Sequence, residues 1–305
     1  MNARSLRLAA LAAFGAVTTV TAVAACDDQP TAAGRPALAR AGDAPGTHIQ
    51  YGTPVKVGDG LARTYAVLDA RGGNAPTEVG VALDERALDG LPAPAGGEHA
   101  GHGDMHEYIL PLPAQHGTPF QFVELDWNAA GHEPDGIYTT PHFDFHFYTI
   151  SKAERDAIVK TDPRYAEKGN NLPAADLIPP FWIVPVPPGV PPVVAAIERM
   201  GLHLVDVRSP ELQGMLGNPA GYRPFTKTFI HGSWDGRITF FEPMITRDYI
   251  VAKKDAADEA VRDEITPLPT PARYGAPGYY PTAYRITWDA ERKEYRIALS
   301  GLTKR

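Results

Sequence analysis

The sequence of 305 residues contains a single cysteine, Cys26. One thiol cannot form an intramolecular disulfide, so the fold does not rely on the cross-links that stabilise many small exported domains. Stability must therefore come from a hydrophobic core or from a bound metal ion. Hydrophobic residues make up 44% of the chain, which is enough for the core of an ordinary globular protein.

Clusters of positive charge are also absent. Lys and Arg number 29 against 36 Asp and Glu, which gives a net charge of −7 at pH 7, and the basic residues form no block. Because nucleic-acid binding requires clustered cations, this class of function is excluded. The sequence contains 29 Gly and 30 Pro. Both residues are unfavourable inside helices, which argues against a mostly helical fold.

The one long uncharged run lies near the N-terminus, at residues 8–25, and it follows Arg4 and Arg7. This pattern is typical of a secretory signal, although a retained membrane anchor is the alternative. Small residues precede Cys26, as in the bacterial lipobox, where the cysteine is lipidated. We predict a lipoprotein signal peptide at residues 1–25, lipidation of Cys26 and a flexible tether at residues 26–47. The mature protein would then be anchored on the periplasmic side of a membrane.

Beyond the tether, apolar and polar residues alternate in short runs separated by Gly and Pro, which predicts half-buried strands. The strands are expected at residues 62–68, 78–83, 108–110 and 120–125, with hairpins at 229–246 and 282–299. The expected fold is a single mainly β domain at residues 48–303, a β-sandwich or barrel-like arrangement of antiparallel sheets with a few short helices. We expect helices at residues 152–159, 84–91 and 191–200, and a weaker one at 257–264.

The densest chemical signal is the segment from Pro141 to Tyr148. In a strand, side chains alternate between faces, so His142, Asp144 and His146 should project together while three phenylalanines face the core. Imidazole and carboxylate groups together suit Zn, Fe, Mn or Cu. The competing interpretation is a polar strand face that is hydrogen-bonded to its neighbours.

Other candidates lie on different segments. His132 and Glu133 lie on a loop ten residues before His142, while His203 and Glu242 lie on apolar strands, where burying either one alone is costly. A histidine such as His203 is also a common core residue. We therefore predict one site for a divalent cation, Zn²⁺ by preference, with ligands from His142, His146, His203 and Glu242 and with His132 or Glu133 closing it.

A cation held in this way would activate a water molecule for attack on an ester, amide or phosphate. Glu133 or Asp144 would then serve as general base, or would orient a histidine. A serine-nucleophile elbow, a P-loop, a dinucleotide-binding motif and the zinc-helix motif are all absent from the sequence. The alternative to a metal-dependent hydrolase is therefore a non-catalytic envelope lipoprotein that binds a metal or a small ligand, or a stress-response oligomer. The histidine-rich tract at residues 98–107 is a further candidate for opportunistic metal binding.

The combination of motifs resembles a bacterial envelope family of unassigned function. The resemblance extends from about Gly52 to Leu302 and rests on Trp127-Asn128, Gly131-His132-Glu133-Pro134, the segment from Pro141 to Tyr148, the segment from Met200 to Asp206, Ser209-Pro210-Glu211-Leu212, the segment from Phe229 to Gly236, Glu242-Pro243-Met244-Ile245-Thr246 and the closing segment from Tyr279 to Tyr284. The prototype of this family is a thermophile protein under the control of an extracytoplasmic sigma-E factor, described as a hydrolase without an established activity.

The resemblance implies a β-rich domain that assembles into a closed homo-oligomer and is exported or lipid-anchored. It supplies no established catalytic residues. The positions that match its polar motifs are His132, Glu133, His142, Asp144, His146, His203, Asp206 and Glu242. The fit of His231 is weaker, because a tyrosine is commoner there in the family.

Overall fold

The segments in which apolar and polar side chains alternate form strands that pair into antiparallel sheets. The computed structural model describes residues 46–94 and 105–305. The predicted signal peptide, Cys26 and nearly all of the predicted tether lie outside these residues, as does most of the histidine-rich tract. The first strand begins at Thr47, which is the last residue of the predicted tether.

The described residues form sixteen strands and four α-helices. The strands are β1 (Thr47–Tyr51), β2 (Val55–Val57), β3 (Gly60–Asp69), β4 (Ala75–Asp84), β5 (Met105–Pro111), β6 (Phe122–Asn128), β7 (His142–Tyr148), β8 (Trp182–Ile183), β9 (Leu202–Asp206), β10 (Lys227–Trp234), β11 (Arg237–Thr246), β12 (Asp263–Pro267), β13 (Tyr279–Tyr280), β14 (Ala283–Asp289), β15 (Glu294–Ser300) and β16 (Thr303–Lys304). The helices are α1 (Lys152–Asp156), α2 (Tyr165–Asn170), α3 (Arg247–Asp255) and α4 (Glu259–Arg262).

Two large antiparallel sheets contain most of these strands. The first sheet has the order β1-β3-β4-β15-β14-β12, with β2 also paired to β3, and the second has the order β5-β6-β7-β11-β10-β9-β8. The largest hydrophobic cluster draws on both sheets: Val81 and Ile297 come from the first, and Phe145 and Leu125 from the second. Apolar faces that meet in this way define a β-sandwich. The mainly β fold with a few short helices is thus confirmed.

Both predicted hairpins are present. β10 and β11 are joined at Asp235 and Gly236, which have positive φ values of 47° and 74°. A two-residue turn of this kind matches the twist of the paired strands and favours Asp-Gly. β14 and β15 form the second hairpin, with Ile286 opposite Ile297.

The helices are shorter than predicted. The capping box is present, since Ser151 accepts from the Glu154 backbone while Glu154 accepts from the Ser151 backbone, but α1 ends at Asp156. No helix forms at residues 84–91. Asp84 instead accepts backbone N–H groups from Leu61 and Arg86, which stabilises a turn. Residues 191–200 contain only a 3₁₀ turn at Pro192–Ala195, and the weaker prediction at 257–264 corresponds to α4.

The outer face of the second sheet is covered by the chain between β7 and β10. An apolar cluster there joins Phe240 and Met244 of the sheet to Ile158, Leu212 and Phe225 of the covering segments. The polar residues on this face are therefore enclosed rather than solvated. Among the described residues, no helix is long and apolar enough to cross a bilayer.

Candidate metal centre

Two adjacent strands carry chemically active side chains toward the covered face of the second sheet. The partner of Asp126 across the β6–β7 pair is Asp144, and the partner of Glu124 is His146. On the opposite face, Phe143, Phe145 and Phe147 are fully buried in the sandwich core, as the alternation predicts. We call the covered side of this part of the sheet the polar face. It carries Glu124, Asp126, Asn128, His142, Asp144, His146 and Glu242, each at most 3% exposed.

Three further elements complete the polar face. Glu242 comes from β11, which pairs with β7, and His203 comes from β9 at the other side of β10. His132 comes from the β6–β7 loop, where its ring lies 4.7 Å from the ring of His142. This loop turns at Gly131, whose φ of +73° favours glycine and where a Cβ would lie 2.2 Å from the Tyr138 carbonyl oxygen.

His132, His142 and Asp144 form one compact set, the His142 group. The Asp144 carboxylate lies between the two rings, with Oδ1 3.2 Å from His142 Nε2 and Oδ2 3.5 Å from His132 Nε2. Two ligand atoms bound to one tetrahedral Zn²⁺ at about 2.0–2.1 Å are about 3.3 Å apart. Both separations therefore fit ligands that share one ion.

Hydrogen bonds around the His142 group fix its orientation. The ring Nδ1 of His142 lies 2.6 Å from the Thr140 carbonyl oxygen, and that of His132 lies 2.6 Å from the Glu133 carbonyl oxygen. Since a carbonyl only accepts, each Nδ1 must carry the proton, which directs each Nε2 toward Asp144. Asn128 donates to Asp144 Oδ2 at 2.8 Å. Outer hydrogen bonds of this kind are typical of metal-ligating histidines and carboxylates.

His146, His203 and Glu242 form the second set, the His146 group. Glu242 Oε2 lies 3.6 Å from His146 Nε2 and 3.9 Å from His203 Nε2. On its other side, His146 presents Nδ1 to Asp126 Oδ2 at 3.2 Å. His203 is the most exposed member, with 18% of its side chain accessible, so the group is reached from that end.

Positive charge on the polar face is scarce. Arg155 of α1 is completely buried and forms ion pairs with Glu124 and with Glu107 of β5. Among the described residues, several buried atoms have no hydrogen-bond partner of normal geometry: both oxygens of Asp126, both ring nitrogens of His146, Glu242 Oε2, His142 Nε2 and Asp144 Oδ1. Buried polar atoms without partners are costly, so their concentration here needs an explanation.

The pKa values follow this charge distribution. Burial and the neighbouring Asp126 raise the pKa of Glu124 to about 8. Burial and Asp144 also raise the pKa of Asp126, and burial raises that of Glu242. For Asp144, burial opposes ionisation, but the adjacent rings of His142 and His132 hold the pKa well below its usual range. Burial thus outweighs the positive charge near these three carboxyl groups, and a divalent cation would supply further charge beside Asp126 and Glu242.

The structure separates residues that the sequence analysis assigned to one site. His146, His203 and Glu242 lie together, whereas His142 lies with His132 and Asp144. The reason is strand geometry: four residues along a strand span about 13 Å, so His142 and His146 on β7 are too far apart to reach one ion without a bend. The arrangement is two neighbouring groups instead of one pooled site.

Three other candidate residues lie outside both groups. Glu133 is exposed, and its backbone carbonyl, not its carboxylate, contacts His132. Asp206 forms a two-point ion pair with Arg208. His231 is buried on the core face of β10 against Phe229 and Phe241, and burial there lowers its pKa to about 3.

Several members of the polar face were missed by the sequence analysis. Glu124, Asp126 and Asn128 occupy every second position of β6, between apolar residues that face the core. That alternation is visible in the sequence and is the signal that identifies them. Arg155 and Glu107 carry no such signal, because they come from a helix and a strand that meet the face only in the folded chain.

Comparison with known proteins matches part of the chain. A family model described as TTHB210-like, hypothetical protein TTHB210, matches residues 72–127. The matched segment contains β4, β5 and most of β6, and so includes Glu124 and Asp126. The chain is thus similar to a family of unassigned function over this segment. No curated protein and no solved structure gives a significant match.

Proposed function

We propose that the protein is a metal-dependent hydrolase of the bacterial cell envelope, with its catalytic cation, Zn²⁺ by preference, in the His142 group. The observation that carries this proposal is the geometry of His132, His142 and Asp144, in which two Nε2 atoms flank one carboxylate at 3.2 and 3.5 Å. Two imidazoles and one carboxylate leave a coordination position for water, as in catalytic zinc sites.

The chain's own residues have distinct roles in this proposal. The carbonyls of Thr140 and Glu133 hold the two rings in the ligating tautomer, and Asn128 holds the carboxylate of Asp144. A divalent cation bound there would lower the pKa of a water molecule toward neutrality. Asp144 lies between both rings, so we assign it as a ligand. Glu133, exposed beside His132, is our proposal for the general base.

The location is also proposed on the basis of the sequence. The lipobox before Cys26 supports export and lipid anchoring, and the family resemblance supports a homo-oligomer in the envelope stress response. Intact-mass analysis of membrane-fraction protein tests the location: a diacylated or triacylated Cys26 at the mature N-terminus is expected. An uncleaved N-terminus, or a mature protein in the soluble fraction, would contradict it.

Hydrolysis is tested with the full chain, purified without a His tag and loaded with Zn²⁺. Generic ester, phosphate and amide substrates are the probes. We expect turnover of one class that is lost in His142→Ala and retained in Asp206→Asn, the matched polar control outside both groups. Turnover that survives His142→Ala, with the fold intact by circular dichroism, would reject the assignment.

One observation favours a second candidate function, a non-catalytic metal-binding lipoprotein. The most accessible histidines of the two groups, His203 and His132, expose only 18% and 10% of their side chains, which leaves little access for a substrate. This candidate predicts that Zn²⁺ binds and stabilises the fold while none of the three substrate classes is turned over.

A further inference from the structure

We propose that the His146 group binds a second divalent cation, through His146 Nε2, His203 Nε2 and Glu242 Oε2. This inference deepens the proposed function and rests on it, because the second cation would lie on the same polar face as the catalytic one. It does not depend on hydrolysis, since its test counts ions.

The ring of His146 provides the first observation. Its Nδ1 faces Asp126 at 3.2 Å and its Nε2 faces Glu242 at 3.6 Å, and the ring is 1% exposed. A neutral imidazole has one N–H and one lone pair. With the proton on Nδ1 toward Asp126, the Nε2 lone pair faces a carboxylate oxygen. Two acceptors held face to face are repulsive unless a proton or a metal cation lies between them, and a separation of 3.6 Å is longer than a hydrogen bond.

The position of Asp126 decides which carboxylates ligate. Glu124, Asp126 and His146 form a further set that could hold an ion, using the other ring nitrogen. Glu124, however, already pairs with Arg155. Asp126 behind Nδ1 then completes a carboxylate–histidine–metal arrangement, in which the carboxylate orients the ring and raises its basicity. The ligands are therefore on the Nε2 side, where His203 and Glu242 lie.

An ion in the His142 group alone leaves this region uncompensated. Arg155 is engaged by Glu124 and Glu107, and it makes no ion pair with Glu242. Glu242 Oε2 is buried and has no hydrogen-bond partner among the described residues. A second cation would satisfy it together with both imidazoles. The separations of 3.6 and 3.9 Å are slightly wider than the 3.2 and 3.5 Å of the His142 group, so a small inward shift is expected on binding.

The test is the metal content of the full chain, purified without a tag, treated with chelator, reloaded with Zn²⁺ and measured by inductively coupled plasma mass spectrometry. All proteins carry His99→Ala and His102→Ala, which removes two histidines of the 98–107 tract as a source of extra binding. We expect two ions per chain. His203→Ala and the conservative Glu242→Gln should each bind one, and so should His132→Ala.

The matched control is His116→Ala, which removes a histidine that contacts Thr118 away from the polar face and should still bind two ions. One ion both in the parent protein and in His203→Ala would overturn the inference and leave the proposed catalytic site standing. No bound ion in the parent protein would overturn both. Two ions without hydrolysis would support the second site and reject only the catalytic proposal.

Discussion

Two buried polar regions of this molecule differ in how their carboxylates are paired with positive charge. On the first sheet, Arg285 binds Asp263 through two hydrogen bonds of 2.5 Å and also pairs with Glu78 at 3.3 Å. On the polar face of the second sheet, the carboxylates of Glu124, Asp126, Asp144 and Glu242 are all buried, and Arg155 pairs with Glu124 alone among these four. We call the first region balanced because both of its carboxylates pair with a guanidinium group, which is not true of the second.

The difference separates structural polar groups from functional ones. Buried charges that are paired and hydrogen-bonded can be accommodated by a fold, whereas an excess of one sign is costly. Buried carboxyl groups with raised pKa values are characteristic of sites that bind a charged ligand. We therefore expect the loss of an ion-pair partner in the balanced region to lower the free energy of unfolding. Addition of a cation to the polar face should raise it.

The largest expected effect comes from breaking the balanced region. Arg285→Met leaves Asp263 and Glu78 without their buried partner and should cost about 4 kcal/mol of unfolding free energy. Urea denaturation measures it. The control is Arg164→Met, which removes a two-point pair with Glu167 that is exposed and should contribute little. Equal losses in the two variants would contradict the distinction.

Metal addition tests the unbalanced region. At a free Zn²⁺ concentration one hundred times the dissociation constant, each site should stabilise the fold by about 2.7 kcal/mol relative to chelator. Arg285→Met should show the same increment, because its partners lie on the other sheet, while His142→Ala should show less. If chelator leaves the unfolding free energy of the parent protein unchanged, the polar face does not bind metal.

Removing one carboxylate should have opposite effects in the two regions. Burial raises the folded-state pKa of Glu242, so its ionised form destabilises the fold above the ordinary glutamate pKa. In chelator at pH 8, Glu242→Gln should therefore stabilise the protein by about 1 kcal/mol, and the gain should vanish below about pH 4. Glu78→Gln, which weakens the pair with Arg285, should destabilise it. The same sign for both variants would refute the comparison.

The smallest expected effect is a pH dependence of stability that arises from the ion pairs of Glu264, which join α3, β10 and β12. Burial opposes ionisation of Glu264, but hydrogen bonds from Lys227, Lys253 and Tyr249 lower its pKa to about 2. Its contribution is present above the unfolded pKa of about 4.3 and is lost as the pH falls toward 2.

Glu264→Gln tests this contribution. Because the carboxylate is partly exposed, the loss should be only about 0.5 kcal/mol near neutral pH. The difference from the parent protein should shrink between about pH 4.5 and pH 2. A difference that stays constant across this range would contradict an ionic contribution.

Much of the fold was predictable because its determinants are local. The alternation in β7, the Asp-Gly turn and the capping box at Ser151 each act within a few residues. The helix predicted at residues 84–91 failed for a non-local reason, since Asp84 binds the Leu61 backbone on a neighbouring strand. Sequence spacing contains no information about such a partner.

The candidate site was predictable in its residues but not in its grouping. His142, His146, His203 and Glu242 all lie on the polar face, as strand alternation predicted for the first two and apolar surroundings for the last two. Their division into two groups depends on which strands are neighbours: β11 beside β7 brings Glu242 to His146, while the loop brings His132 to His142. Strand order is a property of the folded sheet.

The most direct test of the central claim is an anomalous difference map at the zinc absorption edge from crystals of the Zn²⁺-loaded protein. The geometry predicts a peak about 2.0–2.1 Å from Nε2 of His132 and His142 and from a carboxylate oxygen of Asp144. Absence of anomalous density there at saturating Zn²⁺, with both rings bonded directly to Asp144, would contradict the claim that the polar face is a metal centre.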